Sequence, residues 1–177
     1  MHVTKRLIVA GAMALLLLLV GGTAMADRTQ VDIGLNVPYR VGISSEEAGD
    51  IGAFVDYAFL LPDVRIQWYW EAGPIKLGPG VRLWTLILES VAYPILSVEA
   101  EIGPIVLNAN VGGGAFLFFG LYNDLGTGRV LFPEISAAFK LGESFSIGTG
   151  AMILFVPELA DEEIYPYIGT IFVRFTL

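Results

Sequence analysis

The sequence predicts an all-β fold: an eight-stranded antiparallel up-and-down transmembrane β-barrel, preceded by a cleaved signal peptide and carrying a short helix in its first outer loop. Three observations carry this reading. Successive stretches alternate apolar and polar residues with a period of two, which gives a strand one apolar face. Composition is 55% hydrophobic and 16% charged, yet beyond the N-terminal leader no run approaches the ~20 apolar residues of a spanning helix. The connections between strands alternate short and long, as in barrels with tight turns on one side of a membrane and loops on the other.

The leader has the three parts of a secretory signal. Lys5 and Arg6 supply positive charge, Leu7 to Val20 is apolar, and Ala24-Met25-Ala26 is a small-x-small cleavage site. Residues 1–26 are therefore read as a signal peptide and 27–177 as one barrel domain. Lys5-Arg6 is not a twin-arginine signal, and without a cysteine the chain is not a lipoprotein. Removing the leader takes two of the 10 Lys and Arg and none of the 18 Asp and Glu, so the net charge falls from −8 to −10. That balance argues against a nucleic-acid partner and against a polybasic membrane-surface protein.

The strands follow in order. Thr29 to Arg40 places Val31, Ile33, Leu35 and Val37 opposite Asp32, Gly34 and Asn36. Val64 to Glu71 places Val64, Ile66, Trp68 and Trp70 opposite Arg65, Gln67, Tyr69 and Glu71. After a turn at Ala72-Gly73-Pro74, Ile75 to Leu88 is the third strand, and Glu89 to Pro94 reads as a loop. Ser97 to Phe119 is a hairpin turning at Gly103-Pro104, with Glu99 and Glu101 opposite Val98 and Ala100. Gly120 to Gly128 reads as a loop rich in Gly, Asn and Asp. Val130 to Leu141 and Phe145 to Phe155 flank a turn at Gly142-Glu143-Ser144. An acidic loop, Val156 to Glu163, precedes the last strand, Ile164 to Leu177.

Val41 to Pro62 admits two readings. Ala53, Val55, Tyr57 and Phe59 alternate like a strand. Ile51, Phe54, Val55, Ala58 and Phe59 share a helical face behind a Ser-Glu start. Topology arbitrates. A strand here makes nine, whereas an outer loop with a short helix over about Ser45 to Phe59 keeps eight and puts every tight turn on one side.

The inward faces then carry Asp32, Glu71, Glu99, Glu101 and Glu134 together with Arg65, Lys76, Arg82, Lys140 and Arg174. An eight-stranded barrel is just wide enough for its own side chains, and charges kept from water must be paired. A lumen filled by an ion-pair network is the expectation, with a narrow ion path as its rival. Trp84, Phe116, Met152 and Phe172 also point inward and obstruct it. The inward glycines relieve crowding, since none opens a helix in a phosphate-binding pattern. Trp68, Trp70, Phe139 and Phe145 at one end, and Tyr39, Tyr93, Phe155 and Tyr167 at the other, are expected in interfacial girdles.

The last strand is the most specific stretch. Tyr167, Gly169, Ile171, Val173, Phe175 and Leu177 alternate to the terminus. This resembles the C-terminal signature of bacterial outer-membrane barrels, with Leu177 standing where an aromatic residue is usual. With the leader, the whole mature chain resembles the small eight-stranded class: the OmpA membrane domain, OmpX, OmpW and the opacity proteins. Length and loop pattern lean towards the OmpW and opacity-like group. The resemblance implies outer-membrane residence, recognition of the last strand by the barrel-assembly machinery, contact with lipopolysaccharide, and a monomer. It also implies that an enzyme of this architecture uses a histidine. The only histidine is His2, in the leader, and there is no cysteine. Ser-His and Cys-His catalysis are excluded, as are His- or Cys-based metal sites, and no cofactor is expected.

The expected function is a non-enzymatic outer-membrane barrel with a structural or surface-interaction role. The alternative is a narrow channel for small or apolar molecules, as OmpW resemblance implies. Contact residues are expected in the outer loops: apolar Ile51, Phe54 and Phe59, and acidic Glu158, Asp161, Glu162 and Glu163. The acidic group reads as a solvated loop, with a divalent cation bridging it to lipopolysaccharide phosphates as the sharper possibility.

Overall fold

The computed structural model describes residues 26–44, 60–86, 88–120, 123–156 and 165–177. The signal peptide up to residue 25, the loop helix and the acidic loop residues lie outside these. Eight strands follow one another: β1 (Arg28–Ser44), β2 (Leu61–Ala72), β3 (Ile75–Leu86), β4 (Glu89–Ile102), β5 (Ile105–Gly120), β6 (Asp124–Lys140), β7 (Phe145–Ile153) and β8 (Tyr165–Thr176). Each pairs antiparallel with the next, and β1 pairs with β8, so the sheet closes. Closure leaves no sheet edge, as a strand protein in lipid requires.

The alternation seen in the sequence separates an outer face from an inner one. Ile33, Leu35, Leu77, Val98, Leu107, Ile135, Ile147 and Ile171 are exposed on the outside. Asp32, Asn36, Asp63, Arg65, Gln67, Arg82, Glu99 and Glu134 are buried inside. A water-soluble protein has the opposite arrangement, and an apolar belt of this extent calls for an apolar solvent.

The turns at one end of the barrel are tight. Gly73 and Gly103 have φ of 61° and 60°, and each is followed by Pro. This is the left-handed first position of a two-residue hairpin turn, where glycine carries no Cβ penalty. The connections at the other end correct the sequence reading twice. Glu89 to Pro94, expected as a loop, is the start of β4, so β3 and β4 are joined through 87–88 alone. Tyr93 turns inward here and packs on aromatic rings, while Pro94, which has no N–H to donate, falls where the β4–β5 ladder shifts register between Ala92 and Ile95. Gly120 to Gly128, also expected as a loop, largely belongs to β6: Ala115 faces Thr127 and Phe118 faces Asp124. Glycine and Asp look like loop residues in a sequence, but the ladder to β5 continues through them. The ladder shifts register between Gly113 and Ala115, where Gly114 lies opposite residues 128–130 of β6, and Gly113 and Gly114 take φ of 120° and 82° there. Connection length therefore does not alternate as expected, although the strand count of eight stands.

A Val side chain at Gly103 would force a left-handed residue to carry a branched Cβ. Gly103→Val is expected to lower unfolding stability by about 1–3 kcal/mol. Gly128→Ala, at a strand position facing open space, is expected to stay within about 0.5 kcal/mol. Urea titration of both variants in lipid vesicles, followed by tryptophan fluorescence, checks the pair.

Candidate functional site

The interior is the candidate site, and it is layered along the barrel axis. At mid-height four side chains close a ring. Asp63 and Arg65 lie two apart on β2 and so share the inner face. Arg82 on β3 is the cross-strand partner of Arg65. Glu134 comes from β6, on the opposite wall. Arg65 donates through Nε to Asp63 Oδ2 at 3.0 Å and through Nη2 to Glu134 Oε1 at 2.9 Å. Arg82 donates through Nε to the same Asp63 oxygen at 3.0 Å and through Nη1 to Glu134 Oε2. Each acid thus meets both guanidiniums, and all four side chains are at most 8% exposed. Each guanidinium bridges the two carboxylates through charge-assisted hydrogen bonds, the strong kind of ion pair.

The ring is held from several sides. Asn36 donates to Asp63 Oδ1 at 2.8 Å and to the Leu61 carbonyl at 3.0 Å. Gly34 is the β1 neighbour of Asp63, and a Cβ there would collide with the carboxylate. Arg82 lies over the Trp84 ring at 4.4 Å, and Arg174 over Phe172 at 4.6 Å. Gln67 donates to Ser97 Oγ at 2.7 Å just beside the ring.

Towards the tight turns lies a second charged group. Lys76 reaches Glu99 Oε1 at 3.2 Å and also Glu101, and Lys140 donates to Glu101 Oε2 at 2.7 Å. Asp32 accepts from Thr176 Oγ1 at 2.6 Å and from Gln30 Nε2 at 3.1 Å. A cavity of about 290 Å³ is lined by Lys76, Glu99, Glu101, Lys140 and Arg174. Its walls offer both donors and acceptors, so water fits it.

On the far side of the ring the lumen is apolar. Tyr93, Phe116 and Phe132 form an aromatic cluster. The Tyr93–Phe132 centroids are 5.0 Å apart, and Phe116 and Phe132 meet edge-on at 5.7 Å and 89°. Gly112 makes room, since a Cβ there would sit 2.5 Å from the Tyr93 ring. Trp84, Leu61 and Met152 pack beside them.

The structure brings nine of the ten expected charges inside: Asp32, Arg65, Lys76, Arg82, Glu99, Glu101, Glu134, Lys140 and Arg174. Glu71 is the exception. Its side chain is exposed at the end of β2, where the strand is about to turn and the inner face gives out. Asp63 takes its place, so five acids still face five bases. Asp63 escapes the sequence reading because β2 was expected to begin at Val64. It has the same parity as Arg65, so one further step of the alternation would have found it. Tyr93, expected in an outer girdle, is 3% exposed within the aromatic cluster, because the inner face needs bulk there. Trp68 is also buried, at the point where the β2–β3 pairing passes Pro79. Trp70, Phe139, Phe145 and Tyr39 are exposed as expected. Ile51, Phe54, Phe59, Glu158, Asp161, Glu162 and Glu163 lie outside the described residues.

No protein-family model matches the sequence, and no curated protein matches it. Solved structures do match. Neisserial surface protein A is 8% identical over 83% of this chain and 96% of its own, with a TM-score of 0.48. The N-terminal β-barrel domain of Pseudomonas aeruginosa OprF is 7% identical over 85% and 100%, with a TM-score of 0.46. Ail, the attachment invasion locus protein of Yersinia pestis, is 9% identical over 84% and 97%, with a TM-score of 0.38.

Removing one acid from the ring leaves two buried guanidiniums sharing the other. Glu134→Ala is expected to lower stability by about 3–5 kcal/mol, whereas Glu71→Ala, at an exposed site, is expected to change it by less than about 0.5 kcal/mol. Equilibrium unfolding in lipid vesicles reads both. Equal effects would remove the ring's special standing.

Proposed function

We propose that this protein is a non-enzymatic outer-membrane barrel with a structural or surface-interaction role and a lumen that does not conduct. The ring of Asp63, Arg65, Arg82 and Glu134 carries the reading. It spans from the β2–β3 wall to β6 with no net charge, and moving a solute past it means breaking several buried ion pairs at once. Outer-membrane residence is supported by the exposed apolar belt on a closed barrel and by the export signal read in the leader. The non-enzymatic reading is supported by the absence of histidine and cysteine from residues 27–177.

The partners follow from the same surfaces. The outward row of β8 exposes Ile171, Phe175 and Leu177, which suits recognition by the barrel-assembly machinery and then burial in lipid. Lipopolysaccharide is the partner proposed for the outer end, with Glu158, Asp161, Glu162 and Glu163 meeting its phosphates through divalent cations. The transport reading, with its OmpW and opacity-like affinity, draws on the apolar upper lumen, but an axial path through it ends on the ring.

Planar-bilayer recording on refolded protein tests the proposal. Silence at all voltages is expected. Steady unitary steps that disappear on heat denaturation would overturn it.

A further inference from the structure

We propose that the chamber below the ring is a binding site for one small monocarboxylate, entered from the tight-turn end of the barrel and gripped by Arg174. The observation that carries it is a buried base with no acid in contact. Arg174 is 6% exposed, and it lines the cavity of about 290 Å³ beneath the ring. Among the described residues no ion pair reaches its guanidinium, which lies instead over the Phe172 ring. Asp32, Asp63 and Glu134 are the acids whose charge it feels, and each is engaged elsewhere. Asp32 accepts from Thr176 and Gln30, Asp63 from Arg65, Arg82 and Asn36, and Glu134 from Arg65 and Arg82. A guanidinium carries five donors and no acceptor, and burying it without an anionic partner is costly.

The wall selects the guest by charge. Arg28, Lys76, Lys140 and Arg174 face Glu99, Glu101 and Glu143 in the lining, four bases against three acids. Lys76 and Lys140 are already matched by Glu99 and Glu101. The chamber therefore has room for one negative charge, and a dianion would set its second charge against those glutamates. A guanidinium fork meets the two oxygens of a carboxylate in its own plane. Ser146 is the cross-strand neighbour of Arg174 and lines the same chamber, so its hydroxyl is a further donor beside the guanidinium. Val106 and Ala138 make one stretch of the wall apolar, which suits a short hydrocarbon body. Glu143 and Ser144, in the turn between β6 and β7, line the mouth. The guest thus comes from the aqueous phase at that end and does not have to pass the ring. The site stands whether or not the lumen conducts.

The test titrates trifluorobutyrate into the mature barrel in lipid nanodiscs and follows the probe by fluorine NMR. The expected result is saturable binding of one probe per barrel, with the Arg174 Nε–H signal shifting and those of Arg65 and Arg82 staying in place. Trifluorobutanamide, which has nearly the same shape without the charge, is expected not to bind, and sulfate is expected not to displace the probe. Arg174→Gln is expected to weaken binding more than about tenfold. Ser146→Leu, which fills the space beside Arg174 and leaves its charge in place, is expected to weaken it as well. Absence of saturable binding to the folded, unaltered barrel would overturn the proposal. So would binding that the amide matches, that sulfate displaces, or that both variants leave unchanged. Should neither variant fold, the Arg174 signal of the unaltered barrel decides. A shift that saturates with the probe supports the site, and a signal unmoved at saturation overturns it.

Discussion

A charge at the narrow middle of this barrel can be stabilised only by another charge or by a strong hydrogen bond, because water has little room beside it. That constraint shapes the interior of this protein. Asp63 and Glu134 are each held by both Arg65 and Arg82, so removing any one member strands the others in a medium that cannot solvate them. Neighbouring choices follow from this ring. Gly34 is small because the Asp63 carboxylate occupies the space a side chain would take, and Asn36 supplies the donor that the carboxylate still lacks. Trp84 and Phe172 lend ring faces to the guanidiniums of Arg82 and Arg174.

The outer wall answers to a different solvent. Lipid asks for apolar side chains and a backbone with no free edge. The exposed Ile, Leu and Val rows and the closure of β1 on β8 meet both demands. Period-two alternation serves the two environments at once, and for that reason it was the most legible feature of the chain. It placed Glu99, Glu101, Glu134, Arg65 and Arg82 inside from the sequence alone. The count of eight came instead from the connection pattern, since alternation by itself also allowed a ninth strand at Ala53 to Phe59.

Legibility failed where alternation meets a strand end. Asp63 was missed because Pro62 precedes it and the run before that is apolar on both faces, so the start of β2 carries no periodic mark. Glu71 was misplaced by extending the pattern one residue too far, to a position where the wall is already turning and the side chain reaches solvent. Tyr93 and the glycines of β6 were lost for a shared reason. Pro94, Gly126 and Gly128 look like loop residues although the backbone pairs through or around them, and Tyr93 sits level with Arg82 of the ring. The ring itself was not visible as a ring. That Arg65 and Glu134 meet depends on β2 and β6 facing each other across the closed sheet, which no local spacing encodes. The division of the lumen into a charged lower half and an apolar upper half was hidden similarly, since Trp84, Phe116, Phe132 and Met152 come from four strands.

The central claim is that this lumen is shut by ion pairs rather than threaded by water. Side-chain amide NMR on the barrel in lipid nanodiscs tests it most directly. Guanidinium Nε protons in contact with bulk water exchange rapidly, whereas those held by buried carboxylates are shielded. The account predicts resolved Nε–H signals for Arg65 and Arg82 at neutral pH, slow to exchange with water and lost together in Asp63→Ala. Rapid exchange at both arginines, at the rate of an exposed guanidinium, would contradict it.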